Sequence, residues 1–482
     1  MVSVAGPISK AALLACLPPE PDEAALFPMI RRLVEQSGRK LVVIDDDPTG
    51  VQTVHDVALY LRWDERTLTK ALRGDASLFF VLTNSRSLPV EQAVQVNRKT
   101  AQLLMRASAR TGVPFVIASR SDSTLRGHYP AEVLALQEGM GERCDGHLIV
   151  PAFFEGGRLT IGDSHYVATP DASSDTLIPA SDTPFAQDQV FGYSTAHLPA
   201  WVEEKSGGAF SKEQVVSLSL ELIRMGGPQA VAKQLEQVRG GVPVVVNAAG
   251  YGDLAVVVLG VLQAEAAGRH FLYRTGASFV RLRGAVKPRL LLSATEMLDG
   301  STHDRHGGLV VVGSYVPGSS AQLERLLALP GVQGVELPVE KGRLGKGSRG
   351  SEAELGQALD DIIRAGRVGV LYTSRTQVTG CSAAENVQIG QHVADALVSS
   401  VRHVTACPAF VIAKGGITSQ VIAQRGLGAQ KAFALGQILP GVPVWRLERG
   451  PTLRFPGIPY IVFPGNVGGP NSLAEAVDRL RQ

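Results

Sequence analysis

The sequence of 482 residues has only four cysteines, Cys16, Cys144, Cys381 and Cys407, and they lie far apart. No two of them have the short spacing of a zinc site or a redox pair, and four distant cysteines do not make the disulfide framework of a small secreted domain. Sparse, unpaired cysteines are typical of a reducing compartment. We therefore expect a cytoplasmic protein without structural disulfides or a zinc site.

An excess of charge of one sign is also lacking. Lysine and arginine number 47 against 45 aspartates and glutamates, which gives a formal net charge of +2. A nucleic-acid-binding domain normally carries a clear basic excess, so nucleic acid is not an expected partner. Hydrophobic residues make up 45% of the chain and charged residues 19%, which excludes a disordered chain.

Long hydrophobic runs are missing as well. The longest uncharged apolar run, Leu254 to Gln263, is half of the roughly 20 residues that a bilayer crossing needs. Near the beginning, the short run Ala11–Leu17 is followed by prolines and acidic residues instead of the small residues of a signal-peptide cleavage site. No membrane association is expected.

What the chain does contain is a series of short, apolar, often β-branched runs. Such runs without alternation are typical of strands buried on both faces, and the helical patterns between them predict parallel sheets flanked by helices. The ten runs are Leu41–Ile44, Leu78–Leu82, Pro114–Ile117, His147–Val150, Val242–Val246, Leu309–Val312, Val368–Tyr372, Ala409–Ile412, Val442–Trp445 and Pro459–Phe463.

Two breaks in this series suggest the domain organisation. Residues 160–217 are rich in Asp, Ser, Thr and Pro and carry little strand signal, so they are interpreted as a long excursion over a cleft, such as a lid. Residues 287–305 are interpreted as a linker. The sequence thus predicts an α/β protein with two lobes, residues 1–286 and 306–482, each with a mainly parallel sheet flanked by helices, and an active site in the cleft between them.

Three times in the second lobe, a predicted strand runs through a glycine-rich turn into a helix, within residues 310–320, 409–419 and 461–471. Bare glycines let backbone N–H groups approach phosphate oxygens, and a helix N-terminus adds a favourable dipole. Thr418 or Ser419 is the predicted N-cap of the second helix, and Lys414 is expected to add a mobile positive charge. Any one such turn could simply close a strand-to-helix connection, but three together favour a nucleotide site.

Familiar nucleotide and nucleophile motifs are absent from the sequence. Gly345-Lys346 resembles the end of a Walker A loop, but Gly347 stands where Ser or Thr is required. There is no GxGxxG followed by an acidic residue, no HExxH and no GxSxG. A covalent mechanism is therefore disfavoured.

Polar clusters follow four strands of the first lobe, at residues 45–50, 83–87, 119–127 and 151–158. The run Asp45–Asp47 could cap a helix in a solvated turn, accept a proton from a substrate hydroxyl, or bind the magnesium of a nucleotide. Arg86, Arg120 and Arg126 are expected at the same sheet edge. The planar guanidinium group of arginine can donate two parallel hydrogen bonds to a carboxylate. Together these groups suit a small polyhydroxy acid, although Arg126 could instead pair with Asp122.

Taken together, these segments resemble the four-carbon acid sugar kinase family, also called the DUF1537 family. The resemblance covers residues 41 to 470 and rests on segments that are short individually and specific jointly. They are Asp46-Asp-Pro-Thr-Gly50, Thr83-Asn-Ser-Arg-Ser87, Asp122-Ser-Thr-Leu-Arg-Gly127, Pro151-Ala-Phe with Glu155-Gly-Gly-Arg158, Gly313-Ser314, Lys414-Gly-Gly-Ile-Thr-Ser419 and Pro464-Gly-Asn-Val-Gly468.

The resemblance implies an ATP-dependent kinase for four-carbon sugar acids such as threonate, erythronate or 3-oxo-tetronates, with the acid bound by the first lobe and ATP by the second. The residues expected to bind the acid are Asp46, Arg86, Arg120, Ser121, Asp122, Ser123 and Arg126. Those expected to bind ATP are Ser314, Lys414, Gly415, Gly416, Ile417, Gly465, Asn466 and Gly468. Relatives often carry Lys in place of Arg120 and an acidic residue in place of Ile417, so the preferred acid and any metal contact at Ile417 are left open.

The resulting hypothesis is in-line transfer of the γ-phosphoryl group of Mg-ATP to a terminal hydroxyl, with Asp47, or alternatively Asp46, accepting the proton. The expected partners are ATP, with Mg²⁺, and a small sugar acid, and a homo-oligomer stays open. Two alternatives remain at this point: a lyase or aldolase acting on a phosphorylated sugar acid, and a sensor of sugar acids or nucleotides without catalysis.

Overall fold

The computed structural model describes residues 6–141, 144–169, 175–298, 306–314, 317–339, 349–375, 378, 383–448, 450–465 and 467–481. The chain forms two compact units. The first contains the residues up to Val57 and Arg62–Pro288, and the second contains Ala58–Leu61 and the residues from Arg289 onward. The division after Pro288 falls within the stretch that sequence analysis assigns to the linker.

The elements are numbered in chain order. The strands are β1 (Ile8–Ser9), β2 (Lys40–Asp45), β3 (Val57–Tyr60), β4 (Leu78–Leu82), β5 (Phe115–Arg120), β6 (Gly146–Val150), β7 (Arg158–Ile161), β8 (Ser164–Ala168), β9 (Thr176–Pro179), β10 (Val216–Leu218), β11 (Val242–Val246), β12 (Phe271–Thr275), β13 (Leu309–Val312), β14 (Val332–Leu337), β15 (Val368–Thr373), β16 (Val411–Lys414), β17 (Lys431–Leu439), β18 (Val442–Leu447) and β19 (Pro459–Phe463). The helices are α1 (Lys10–Ala15), α2 (Glu23–Ser37), α3 (Glu65–Arg73), α4 (Val90–Thr111), α5 (Ala131–Met140), α6 (Leu198–Lys205), α7 (Gly227–Leu235), α8 (Tyr251–Ala266), α9 (Ala277–Arg283), α10 (Ala294–Leu298), α11 (Pro317–Leu327), α12 (Arg349–Arg364), α13 (Ala383–His403), α14 (Gly416–Val421) and α15 (Ser472–Arg481).

The first unit is built on a parallel sheet of seven strands in the order β10-β11-β6-β12-β5-β2-β4. Its central strands are buried almost along their whole length, as in β2, where Leu41 to Asp45 are all buried. Burial on both faces explains why these strands appear in the sequence as uninterrupted apolar runs. The predicted fold class, a mainly parallel α/β architecture with flanking helices, is confirmed.

The expectation that residues 160–217 carry little strand structure is wrong. This stretch contributes to a second, antiparallel sheet, ordered β1-β9-β8-β7, and also carries α6 and β10. Strands β7 and β8 form a hairpin whose two loop residues, Gly162 and Asp163, have φ angles of 57° and 61°. A Gly-Asp pair in this conformation is a hairpin signal, and it was overlooked because the flanking strands are short and mixed in polarity.

The second unit has an eight-stranded sheet in the order β3-β17-β18-β19-β16-β13-β15-β14. From β19 to β14 the strands are parallel, whereas β17 and β18 are antiparallel neighbours. The core includes Val310, Val312, Ile412, Ile461 and Phe463 from the three central strands. The sheet therefore carries the three glycine-rich turns on adjacent strands, β13, β16 and β19.

The long apolar run Leu254–Gln263 lies within α8, which packs against α2 and α7 and is buried over most of its length. Its hydrophobicity is that of a helix enclosed by protein. No described helix combines the length and the hydrophobicity that a membrane span requires.

Candidate functional site

The polar clusters of the first unit meet at the carboxyl edge of its parallel sheet. Asp45, the last residue of β2, lies beside Leu82 at the end of β4 and beside Arg120 at the end of β5. Arg120 in turn lies beside Thr275 at the end of β12. The loops after these strands therefore begin side by side at the carboxyl edge of the sheet, which is where open α/β sheets bind ligands.

Asp46 is the centre of a cross-link between three of these loops. Arg86 donates from Nε to Asp46 Oδ2 at 3.0 Å and from Nη2 to Asp46 Oδ1, a two-point ion pair. Ser121 Oγ also donates to Asp46 Oδ2 at 3.0 Å. Since both carboxylate oxygens already accept hydrogen bonds and the residue is only 4% exposed, this geometry suits a structural role better than proton transfer.

Asp47 is held differently. Its Oδ1 accepts from the backbone N–H of Thr49 at 2.9 Å and from the Thr49 hydroxyl, while Oδ2 lies 3.7 Å from Arg86 Nη1. Burial acts to raise the pKa of Asp47, but Arg86 and Thr49 outweigh it and leave the pKa below its usual value. The side chain is 19% exposed, so Asp47 is an ionised, partly exposed carboxylate whose Oδ2 has Arg86 as a neighbouring cation.

Asp45 and Arg120 form a buried pair beneath this loop. Asp45 is fully buried and Arg120 is 3% exposed, with Arg120 Nη1 lying 3.5 Å from Asp45 Oδ1. Arg120 Nη2 donates to Gln52 Oε1 at 3.0 Å. A Cβ atom on Gly50 would lie 1.8 Å from Asp45 Oδ2, so the turn closes directly over the carboxyl group. In this arrangement Arg120 supports the loop that contains Gln52, and little of its guanidinium group is exposed to a ligand.

Burial raises the pKa of Asp45 to about 8, although Arg120 acts in the opposite direction. Between pH 4 and about pH 8 the native state then holds a proton that the unfolded state lacks, so the contribution of Asp45 to stability falls as the pH rises. We expect the difference in unfolding free energy between Asp45→Asn and the unchanged protein to shift in favour of Asp45→Asn when the pH rises from 5 to 8.5. Urea unfolding at the two pH values measures this difference. Equal differences in unfolding free energy at the two pH values would contradict this assignment.

The loop after β5 is tied together by charges. Asp122 accepts from Arg126 Nε at 2.6 Å and from Thr124 Oγ1, and Arg126 Nη1 lies 3.4 Å from Asp188 Oδ2. Burial opposes ionisation of Asp122, but Arg126 and Arg86 hold its pKa well below the usual value. Arg126 is therefore paired with Asp122, the alternative that the sequence left open. Of the remaining predicted residues in this loop, Ser121 lies at the cross-link, whereas Ser123 is buried and its carbonyl accepts from His165 Nε2 at 2.7 Å.

In the second unit, the three glycine-rich turns also start at one level. Val312 at the end of β13 lies beside Lys414 at the end of β16, and Lys414 lies beside Phe463 at the end of β19. The turn after β13 contains Ser314, whose Oγ accepts from Ser319 at 3.0 Å. A Cβ atom on Gly465, in the turn after β19, would have Ser314 Oγ as its nearest neighbour at 3.9 Å. The turns containing Ser314, Gly415 and Gly465 thus lie side by side.

Lys414 is not the mobile charge that the sequence suggested. It is fully buried, with its Nζ 4.4 Å from the centre of the Phe463 ring and donating to Pro464 O at 2.6 Å. Burial lowers the pKa of Lys414 to about 7. Lys414 ends a buried strand, so its side chain packs inside the protein, where its hydrogen bond to Pro464 holds the turn after β19 in place.

In the turn after β19, several backbone carbonyl groups accept hydrogen bonds from the side chains of Lys414 and Gln322. Besides the bond to Pro464, Lys414 Nζ lies 3.4 Å from Gly465 O, and Gln322 Nε2 donates to the carbonyls of Val467, Gly468 and Gly469 at 2.9–3.3 Å. In a planar trans peptide the N–H points opposite to the C=O. The N–H groups of Gly465, Gly468 and Gly469 therefore face away from Lys414 and Gln322, as anion binding requires.

The turn after β16 departs from the predicted capping. The helix α14 starts at Gly416, so Thr418 and Ser419 lie inside its first turn and neither is the N-cap. The cap is Gly415, which has a φ of 108° that only glycine adopts readily. Ile417 is 57% exposed in this first turn. Asn466, also expected to bind ATP, lies outside the described residues.

Sequence reasoning missed one arginine beside these turns. Arg375 follows β15, the neighbour of β13, and its Nη1 donates to Ser314 O at 2.8 Å. Its other donors hold Thr373 O and Thr373 Oγ1. Arg375 lies two residues beyond the end of β15, at the sheet edge where the glycine-rich turns begin, and that position is a usable signal. In the described part of the chain, no carboxylate lies within ion-pair distance of Arg375.

The described residues bring together no group of three or more histidine, cysteine or acidic side chains that could hold a metal ion. Within the run Asp45–Asp47, the three carboxyl groups face Arg120, Arg86 and Thr49, and Arg86 contacts both Asp46 and Asp47. Magnesium is commonly bound by one or two carboxylates together with nucleotide phosphates. A magnesium ion arriving with a nucleotide fits this arrangement better than a site built from the protein alone.

Comparison with known families matches both units. A sugar-binding N-terminal domain matches residues 41–283, and a nucleotide-binding C-terminal domain matches residues 309–473. No curated protein matches the chain.

Solved structures show the same fold. A DUF1537-family protein from Haemophilus influenzae is 17% identical, with a TM-score of 0.58 over 91% of this chain and 100% of its own. A protein from Salmonella typhimurium LT2, solved under the provisional name of tRNA synthase, is also 17% identical, with a TM-score of 0.64 over 91% of this chain and 98% of its own. At this identity the likeness is one of fold, so neither name carries over.

Proposed function

The chain belongs to the four-carbon acid sugar kinase (DUF1537) family, and on that premise we propose that it transfers the γ-phosphoryl group of ATP to a terminal hydroxyl of a four-carbon sugar acid. The observation that carries the proposal is Asp47. It is an ionised, partly exposed carboxylate beside Arg86, at the carboxyl edge of the sugar-binding unit. A carboxylate in this state can orient a hydroxyl and accept its proton.

In the proposed reaction, the substrate hydroxyl oxygen bonds to the γ-phosphorus. The bond from the γ-phosphorus to the oxygen that bridges it to the β-phosphorus breaks, and ADP leaves with that oxygen. The hydroxyl proton passes to Asp47 Oδ2, the oxygen that Thr49 does not occupy. Arg86 stabilises the carboxylate before transfer and, through Asp46, is itself fixed in place.

For the nucleotide, we assign the turns that contain Ser314, Gly415 and Gly465. Support comes from the N–H groups that face away from Lys414 and Gln322, and from Arg375, which forms no ion pair with the carboxylates of the described residues. Magnesium bound to ATP would neutralise part of the phosphate charge. Phosphoryl transfer depends mainly on positioning and charge stabilisation, which loops and arginines can provide without a protein nucleophile.

The decisive experiment is an ADP-release assay across a panel of four- and five-carbon sugar acids, with controls lacking the acid. We expect ADP release to depend on one or a few four-carbon acids and a phosphorylated acid to appear in equal amount. Cleavage of a sugar-acid phosphate without nucleotide would indicate a lyase instead. Ligand-dependent thermal stabilisation with no turnover on any acid would indicate a sensor.

A further inference from the structure

Among the described residues of the loops at the carboxyl edge of the first unit, four arginines lie within ion-pair distance of a carboxyl group of the chain, and a fifth does not. Arg86 pairs with Asp46, Arg120 with Asp45, Arg126 with Asp122 and Arg274 with Glu132, and the fifth arginine is Arg158. Over the described residues, no carboxylate lies within 4.0 Å of Arg158. Arg86, Arg126 and Arg274 donate hydrogen bonds to their carboxylates. Arg120 keeps Nε and Nη1 without hydrogen-bond partners, but it lies beside Asp45 and Gln52 under the turn that Gly50 closes.

Arg158 starts β7, and its backbone exchanges two hydrogen bonds with Phe153, at 2.9 and 3.0 Å, which close the loop between them. Its guanidinium lies 5.8 Å from the centre of the Phe153 ring, and Nη1 donates to Gly156 O. The residue is 8% exposed, so it is more than nine-tenths buried, and Nε has no hydrogen-bond partner. Burying a guanidinium with unused donors is costly unless an anion compensates for it.

The position of Arg158 agrees with the loop that was expected to bind the acid. Asp122 and Arg126 are close enough for their charges to act on its pKa, which burial lowers. Arg158 also acts on the neighbouring His165, whose pKa burial lowers to about 4, so His165 is neutral and does not compete as an anion-binding cation. Nε and Nη2 of an arginine form a parallel pair of donors that matches the two oxygens of a carboxylate.

We propose that Arg158 binds the carboxylate of the sugar acid through Nε and Nη2, and so makes the site select acids over neutral polyols. This inference rests on the proposed function and adds to it the residue that recognises the acid group. Gly156 and Gly157 keep the loop small around the guanidinium, since a Cβ atom on Gly156 would lie 2.1 Å from Nη1. The hydroxyl to be phosphorylated then lies at the opposite end of the substrate from Arg158.

The test compares Arg158→Gln, Arg158→Lys and the unchanged protein with a four-carbon sugar acid and with the matching neutral tetritol as substrates. For Arg158→Gln we expect kcat/KM for the acid to fall about 100-fold, mainly through KM, with no change for the tetritol. Arg158→Lys, which keeps the charge but not the paired donors, should recover part of the loss. Acid binding without ATP, measured by calorimetry, should weaken in the same order.

Arg454 offers a matched control in the second unit. It is less buried than Arg158, but its guanidinium likewise lies near an aromatic ring, 5.2 Å from the Phe455 ring centre, and donates to backbone carbonyls. Arg454→Gln should lower the melting temperature without changing the preference for acid over tetritol.

An unchanged preference in Arg158→Gln would overturn the inference and leave the kinase proposal standing. If the unchanged protein binds acids without transferring phosphate, and Arg158→Gln abolishes that binding, the inference holds and the kinase proposal fails. If the unchanged protein neither binds nor phosphorylates any acid, both fail.

Discussion

Replacing Asp47 with asparagine should lower kcat by a factor of roughly 100 to 10,000, the range expected for loss of a proton-accepting group, while ADP affinity stays nearly unchanged. The amide keeps the size of the side chain and can still accept from Thr49, so the loop should remain folded. Steady-state kinetics with the best sugar acid and calorimetric titration with ADP measure the two quantities. Unchanged turnover would remove Asp47 from the mechanism.

Two further aspartates provide controls for this result. Asp64 accepts from a threonine N–H at 2.7 Å in the same way, but it caps α3 away from the site, so Asp64→Asn should leave kcat unchanged. Asp46→Asn breaks the paired contact with Arg86 and should cost about 3 kcal/mol or more of unfolding free energy. A large loss of turnover without loss of stability therefore distinguishes Asp47 from its neighbour.

Replacing Gly465 with valine should weaken ADP binding by roughly tenfold or more, which corresponds to about 1.4 kcal/mol. A Cβ atom at this position meets no protein atom closer than 3.9 Å, so the substitution should be accepted by the fold. The added methyl groups would instead crowd the approach to the N–H groups of the turn. ADP titration and thermal unfolding of the variant test both statements.

Gly450 is the matched control, because a Cβ atom there has no neighbour within 4 Å and the residue is exposed outside the three turns. Gly450→Val should bind ADP like the unchanged protein. Normal ADP affinity in Gly465→Val, with its fold intact, would refute the assignment of this turn to the nucleotide.

Strands could be predicted where burial leaves an unmistakable pattern. Val242–Val246 and Pro459–Phe463 are uninterrupted apolar runs that pair with a strand on each side, and their observed bounds equal the predicted ones. Strand β17 was missed because partly exposed residues and Gly436 interrupt its apolar residues. Strand β14 was missed because only Val335 and Leu337 of its six residues are buried.

At the site, sequence reasoning placed the loops correctly on the sheet edges but could not tell which side chains remain available. Arg120 and Lys414 are the clearest cases, since each ends a strand at the expected edge and yet is buried. Availability depends on tertiary partners such as Asp45 and Pro464, which lie far away along the chain. Arg158 went unassigned for the converse reason, because its lack of a carboxylate partner is visible only once the neighbouring pairs are known.

The link between Asp46, Arg86 and Ser121 joins the loops that follow β2, β4 and β5. Because these bonds couple the three loops, the acceptor site of the proposed kinase would already be assembled before a sugar acid binds. Binding should then cost little ordering entropy on the protein side, and amide hydrogen exchange of these three loops should be slow in the free protein and change little when the acid is added. Discrimination among stereoisomers would follow from a rigid shape that does not adapt to the wrong one.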